Sequence, residues 1–161
     1  MRPFRTASCF ADLRSVRSRT AHKPCLRWTE SMTEHSSITV ASGFYDALAK
    51  GDLDVLRDLL TDDVVFHVPG RGPMAKDYRG KQEVLGYLAR LAEAASGGLR
   101  LEPEDYLVSG DRVAAVLSIR GERDGRTLND HGLQLFRLSG GRISERTSYP
   151  YDPYSVDEFF A

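Results

Sequence analysis

Apolar positions in the first part of the sequence recur with the spacing of an α-helix. Four of them share one helix face: Ala41, Phe44, Tyr45 and Leu48. Gly51 ends this predicted helix, and Asp52 is suited to cap a second short helix with inward leucines. After the β-rich run "VVFHV" and the turn at Pro69-Gly70, residues 81–95 predict a third helix.

Beyond Gly97-Gly98 the apolar period changes from 3.6 to 2. The alternating segments predict four strands: residues 99–109, 112–123, 127–138 and 142–149. Their connectors, "SGD", "RDG" and "SGG", have the glycines typical of hairpin turns. The sequence therefore predicts an α+β domain in which three helices, with one strand among them, pack on one face of a curved antiparallel sheet.

Composition indicates one globular domain. The chain has 161 residues, 41% of them hydrophobic and 28% charged. No apolar run approaches the roughly 20 residues that span a bilayer, so we expect a cytoplasmic protein with no membrane partner. The body, residues 32–161, is net acidic, which argues against nucleic acid as a partner.

The first 31 residues differ from the rest in composition. They hold seven basic and two acidic side chains, both cysteines of the chain, and no apolar core of a secretory signal. The composition fits an organellar transit peptide, and it equally fits upstream sequence translated from a wrongly chosen start, with Met32 as the true start. In either case we expect a disordered extension that the domain at 32–161 does not need.

Four motifs carry a family resemblance: "GDLDVLRDLLTDDVVFHVPG", "DYRGKQEVLGYLARL", "LFRLSGGRISE" and "YPYDPYSVDEFF". Residues 36–161 resemble the SnoaL-like proteins, the group of ketosteroid isomerases and polyketide cyclases in the nuclear transport factor 2-like superfamily. The resemblance implies a cone, with a bent sheet wrapped by helices around an apolar pocket. It also implies a homodimer through the outer sheet face. It does not fix function, because this fold carries both enzymes and binding modules.

The family's catalytic residues are replaced in this sequence. The oxyanion tyrosine of the steroid isomerases falls at Phe44, their base at Val68 and their protonated aspartate at Gln134. Tyr45 adjoins the first of these positions but is rotated about 100° around the helix. The histidine and aspartate of the cyclases fall at Gln134 and Ser148. Neither group's acid–base machinery is therefore expected here, although a Gln134 amide still donates hydrogen bonds.

Strand alternation predicts a polar cluster on the concave face of the sheet. It consists of Asp130, Gln134, Arg146 and Ser148, among the pocket-lining rings of Phe44, Phe66, Tyr87 and Phe136. A buried charge needs a partner, so we expect Asp130 and Arg146 to pair. The pair is interpreted either as a ligand-orienting site with Asp130 as base or as a structural ion pair at the mouth of the cone.

His67 has three interpretations. A metal site is disfavoured because no second His or Cys stands at ligand spacing. A role as catalytic base is chemically possible, because imidazole side chains exchange protons near neutral pH. However, alternation turns His67 outward if Val68 faces inward. The third interpretation, a histidine on the outer face of the strand, is favoured unless a bulge next to the Pro69-Gly70 turn resets the alternation.

Two functions are consistent with these patterns. The first is a small-molecule pocket protein that binds a small apolar oxygenated ligand and acts as an isomerase, lyase or cyclase by general acid–base catalysis, without metal or organic cofactor. Its candidate catalytic residues are Asp130, Arg146, Gln134 and His67. The second is a non-catalytic binding or dimerisation module.

Two surfaces complete the expectations. The outer sheet face is predicted to dimerise through five apolar residues: Leu133, Leu135, Val113, Ala115 and Leu117. The aromatic residues after the last strand form either a tail over an apolar edge or a lid or dimer contact: Tyr149, Tyr151, Tyr154, Phe159 and Phe160.

Overall fold

The computed structural model describes residues 24–161, with side chains from residue 34 onward. The elements, in chain order, are α1 (Pro24–Lys50), α2 (Leu53–Leu59), β1 (Leu60–Val68), β2 (Lys76–Arg79), α3 (Lys81–Ser96), β3 (Arg100–Ser109), β4 (Arg112–Arg123), β5 (Arg126–Ser139), β6 (Arg142–Pro150) and α4 (Pro153–Phe160). No helix in this part of the chain is long and apolar enough to cross a membrane.

The predicted α+β layout is confirmed. The strands form one six-stranded sheet in the order β2-β1-β6-β5-β4-β3, and the hairpins from β3 to β6 are antiparallel. One pairing is different, since β1 lies parallel to β6. Two elements were not predicted. Strand β2 has only four residues, too few to show alternation. The segment of α4 was interpreted as a tail, a lid or a dimer contact, with no helix assigned to it.

The helix ends follow the predicted chemistry. Gly51 has φ +69°, a conformation that glycine adopts without strain. The Asp52 carboxylate caps α2 by accepting a hydrogen bond of 3.1 Å from the Val55 amide. Helix α1 begins at Pro24, so Met32 lies within it. Residues 1–23 of the predicted extension lie outside the described residues, and its dispensability stays a prediction.

The concave face of the sheet packs against the helices and forms the core. Val113, Ala115 and Leu117 are buried on this face, because they pair with the inward residues Phe136, Gln134 and Gly132. Their predicted place on the outer face is wrong, since residues directly opposite in a ladder share a face. The outer apolar face instead consists of Leu107, Ala114, Val116, Leu133 and Leu135, with Leu107 58% exposed.

Candidate functional site

A cavity opens into the concave side of the sheet. Its volume is about 70 Å³. Its walls are mostly apolar and include Leu91, Leu99, Leu101, Leu117, Ile119, Leu128, Val156 and Phe160. Its polar groups are contributed by Tyr87, Gln134, Arg146, Ser148 and Tyr149.

The predicted pocket residues divide into two groups. Tyr87 and Ser148 line the cavity. Phe44, Phe66 and Phe136 are fully buried behind it and pack edge to face, with 5.4 Å between the ring centroids of Phe44 and Phe136. These three rings support the wall of the cavity from behind, and they do not line it.

Arg146 is the largest fully buried side chain of the described residues and is only 2% exposed. It stands on β6 between Phe66 of β1 and Phe136 of β5, which are its ladder neighbours. Its guanidinium carbon lies 4.9 Å from the ring centroid of Phe66 and 5.7 Å from that of Tyr87, distances at which a cation is attracted to a ring face. These rings hold the guanidinium at the wall of the cavity.

The hydrogen bonds of Arg146 are incomplete. Its Nε donates to Gln134 Oε1 at 3.0 Å. Its Nη1 is buried and has no hydrogen-bond partner among the described residues. A buried donor without a partner is rare in folded proteins, and this one belongs to a residue that lines the cavity.

Gln134 is fixed by two donors. Its Oε1 also accepts a hydrogen bond of 2.7 Å from the Tyr45 hydroxyl. Because a guanidinium only donates, the Gln134 atom facing Arg146 must be the oxygen. The amide NH₂ group therefore points away from Arg146, and no hydrogen bond joins it to the described residues.

Tyr45 is a site residue that the sequence interpretation missed. Its rotation away from Phe44 still leaves both side chains in the core, because helix α1 packs a broad face against the sheet. Burial raises the pKa of the Tyr45 phenol, and the nearby Arg146 charge only partly opposes this. Tyr45 therefore stays protonated and serves as a donor to Gln134.

The predicted ion pair between Asp130 and Arg146 is wrong. Both side chains are buried on the concave face, but Arg146 lies opposite Phe136, six positions along β5 from Asp130. The Asp130 carboxylate instead accepts the Asp152 amide at 3.3 Å and holds the start of α4. Alternation correctly predicted that both side chains lie on the concave face of the sheet. It could not predict how far apart they lie along the strands.

His67 lies on the outer face, as alternation predicted. Its Nδ1 is 2.8 Å from Asp77 Oδ1, and its Nε2 is 3.5 Å from Glu145 Oε1. It borders a second recess, which adjoins the cavity through five shared lining residues but is not lined by Arg146. Among residues 34–161 no group of three His, Cys, Asp or Glu side chains is arranged to hold a metal ion.

Helix α4 covers one side of the cavity with Val156 and Phe160. Besides the Asp130 contact, the Asp157 carboxylate accepts the Arg71 amide at 2.6 Å, and Arg126 Nη1 donates to the carbonyl oxygen of Ala161 at 2.7 Å. The aromatic segment after β6 is thus a helical cover fastened at its start, middle and end.

Comparisons with known proteins agree with this architecture. Residues 41–146 match the SnoaL-like domain family. An uncharacterised protein of Mycobacterium tuberculosis is 32% identical over 131 residues, which are 81% of this chain and 100% of the mycobacterial protein.

Solved structures share the fold. Bal32a, from a soil-derived mobile gene cassette, is 26% identical with a TM-score of 0.74, covering 79% of this chain and 98% of its own. A Xanthomonas campestris protein of unknown function with a cystatin-like fold is 30% identical with a TM-score of 0.71, covering 78% and 98%. A Jannaschia protein assigned as a SnoaL-like polyketide cyclase is 18% identical with a TM-score of 0.65, covering 78% and 92%, which shows the fold alone.

The predicted nuclear transport factor 2-like fold is confirmed by two Burkholderia proteins of that fold, which match with TM-scores of 0.65 and 0.67. The family match covers well over half of the chain, from within helix α1 to the middle of β6. The chain belongs to the SnoaL-like family.

Proposed function

We propose that this protein binds a small apolar compound through an oxygen atom of that compound. The observation that carries the proposal is Arg146, a buried arginine that lines a mostly apolar cavity and whose Nη1 has no hydrogen-bond partner among the described residues. The ligand oxygen accepts a hydrogen bond from the Arg146 guanidinium at the cavity wall. Ligand sites of this kind are mostly apolar, with a few polar groups that fix orientation.

The lining favours binding over proton abstraction. Among the described lining residues there is no Asp, Glu or His, and proton transfer in enzymes usually relies on one of these side chains. Asp130 and His67, the acid–base candidates from the sequence, are engaged at the start of α4 and on the outer face.

A second candidate is cofactor-free isomerase, lyase or cyclase chemistry. One feature favours it: the Arg146 and Gln134 donors suit a negative charge that develops on a ligand oxygen. The solved Jannaschia neighbour is assigned as a polyketide cyclase. Exchange of the α-protons of a cyclic ketone in D₂O, followed by NMR with and without protein, distinguishes turnover from binding.

Blocking the cavity tests the binding proposal. A panel of small apolar ketones, phenols and carboxylic acids is screened by thermal shift. Hits should raise the melting temperature of the unmodified protein and fail to do so in Val156→Trp, because Val156 lines the cavity. The matched control is Val55→Trp on α2, where the side chain is 44% exposed. Hits that Val156→Trp still binds would contradict the proposal.

The assembly is a separate proposal. The outer sheet face carries an apolar group that includes the exposed Leu107, and contiguous apolar surface of this kind commonly marks an interface. We propose a homodimer through this face, with a dimeric mass by light scattering at micromolar concentration and a monomeric mass for Leu107→Glu/Leu135→Glu. The compartment expected from the sequence remains the cytoplasm.

A further inference from the structure

The charge of Arg146 defines the ligand more narrowly. We propose that the ligand is a monoanion, an apolar compound whose carboxylate, or other two-oxygen anionic group, neutralises Arg146. This inference rests on the proposed function, because it concerns the same cavity.

The first step is the charge balance of the site. A guanidinium is a cation, so Arg146 brings a positive charge into a region where it is 2% exposed. The acidic side chains in the described ion pairs belong to surface pairs, and Arg146 is absent from them. Asp130, the buried acid on the same face, is held by the amide of Asp152.

The second step is what compensates this charge in the folded chain. Three aromatic rings, of Phe44, Phe66 and Tyr87, lie with their centroids 4.9–5.8 Å from the guanidinium carbon. The hydrogen-bond acceptor for Nε is the neutral oxygen of Gln134. Rings and a neutral amide offset only part of the desolvation of a charge. An anion in the cavity supplies the rest, whereas a neutral ketone does not.

The third step is the geometry of the donors. The guanidinium of Arg146 uses its Nε for Gln134, and its Nη1 has no partner among the described residues. A guanidinium with free N–H groups suits an acceptor with two oxygens, such as a carboxylate. Arg146 is also the only Lys or Arg among the described lining residues, so the site matches one negative charge and not two.

The remaining walls of the cavity determine the chemistry of the part of the ligand that lies beyond its anionic group. Leucines of α3, β3, β4 and β5, together with Val156 and Phe160 of α4, enclose the space beyond the donors. A chain or ring system of carbon buries its surface there. The ligand class is therefore an aryl or alkyl monocarboxylate or a molecule with equivalent charge placement.

Paired probes test the inference on the full chain. Calorimetric titration at about pH 7.5 compares 4-phenylbutanoate with 4-phenylbutanamide, which have nearly the same shape and differ in charge. The carboxylate should bind at least about tenfold more tightly. Equal affinities would overturn the monoanion and leave the binding proposal standing. Failure of both probes, together with failure of the whole panel of ketones and phenols, would overturn both.

A charge placed within the protein gives an independent test. Gln134→Glu keeps the size of the side chain and an acceptor for Tyr45 and Arg146, and it adds the missing negative charge. The variant should lose at least about tenfold in affinity for 4-phenylbutanoate and little for the amide. The matched control is Gln82→Glu, the same substitution at an exposed position of α3, which should bind both probes as the unmodified protein does. Unchanged carboxylate binding in Gln134→Glu would overturn the inference.

Discussion

Two neighbouring residues of β6 show opposite ways of placing charge in this protein. Glu145 faces outward, 3.0 Å from Arg137 Nη1 and 3.5 Å from His67 Nε2. Arg146 faces inward, among three aromatic rings and one neutral amide oxygen. In the outer cluster of His67, Asp77, Glu145 and Arg137, Glu145 has the counter-charge of Arg137 and lies in contact with water. The inner group has no counter-charge among the described residues.

The difference between the two regions indicates which of them is suited to bind a ligand. Exposed ion pairs contribute little to stability, commonly between 0 and about 1 kcal/mol, because water screens them. A buried charge without a counter-charge lowers stability, and proteins carry such groups mostly at functional sites. The outer cluster around His67, whose charges are paired at the surface, is therefore the weaker candidate for a functional site than the buried Arg146. His67 is nevertheless the residue that stands out more in the sequence.

The largest expected effect is at Gln134. Replacement by leucine should lower the free energy of unfolding by about 3–5 kcal/mol, because the Arg146 charge and the Tyr45 hydroxyl both lose their acceptor. Urea denaturation measures it. Tyr45→Phe is the control, since it removes one donor and leaves the Arg146–Gln134 bond, and it should lose about 1 kcal/mol. Similar losses in the two variants would show that Gln134 does not stabilise the charge.

The next prediction concerns the sign of the effect at Arg146. Arg146→Met should leave the free energy of unfolding within about 1 kcal/mol of the original or raise it, because an apolar side chain of similar length replaces a charge that has no acidic partner. It should also abolish carboxylate binding. Arg137→Met, on the outer face, keeps carboxylate binding. A loss of more than about 2 kcal/mol in Arg146→Met would mean that the folded chain already balances the charge.

The smallest expected effect is a pH dependence of stability that arises in the outer cluster, at Asp77, and not around Arg146. The hydrogen bond with His67 holds the pKa of Asp77 below its ordinary value of 3.8. A carboxyl with a lowered folded pKa stabilises the fold above its ordinary pKa, and this contribution disappears as the pH falls through the lowered value. Asp77→Asn should therefore lose less stability than the unmodified protein on acidification below about pH 4. Parallel melting curves across that range would contradict this.

Much of the fold could be predicted from the sequence. The change of period at Gly97-Gly98 marks the start of the meander, and the glycine turns fix its hairpins, since both signals depend on residues close together in the chain. The parallel β1–β6 pair could not be predicted, because pairing between distant strands leaves no local pattern. Helix α4 was missed because eight residues give barely two turns of periodicity.

The site was predicted in part, for a related reason. Alternation placed Gln134, Arg146 and Ser148 on the concave face, and all three line the cavity. It could not give register, so Asp130 was assigned to Arg146 although six positions of β5 separate it from the residue opposite that arginine. Tyr45 contacts the site from a helix, and strand parity carries no information about its reach.

The parallel pairing of β1 and β6 has a consequence for how the chain folds. Phe66 and Arg146 are ladder neighbours, yet one lies near the start of the domain and the other near its end. Closing such a long loop is slow compared with forming the helices and hairpins between them. During synthesis, the edge of β1 that pairs with β6 therefore stays unpaired until β6 leaves the ribosome. The aromatic cluster that includes Phe66 cannot be completed before then. We therefore expect Arg146 to become buried only after β6 has been synthesised, and a chain shortened before residue 146 would keep that edge open to association with other chains.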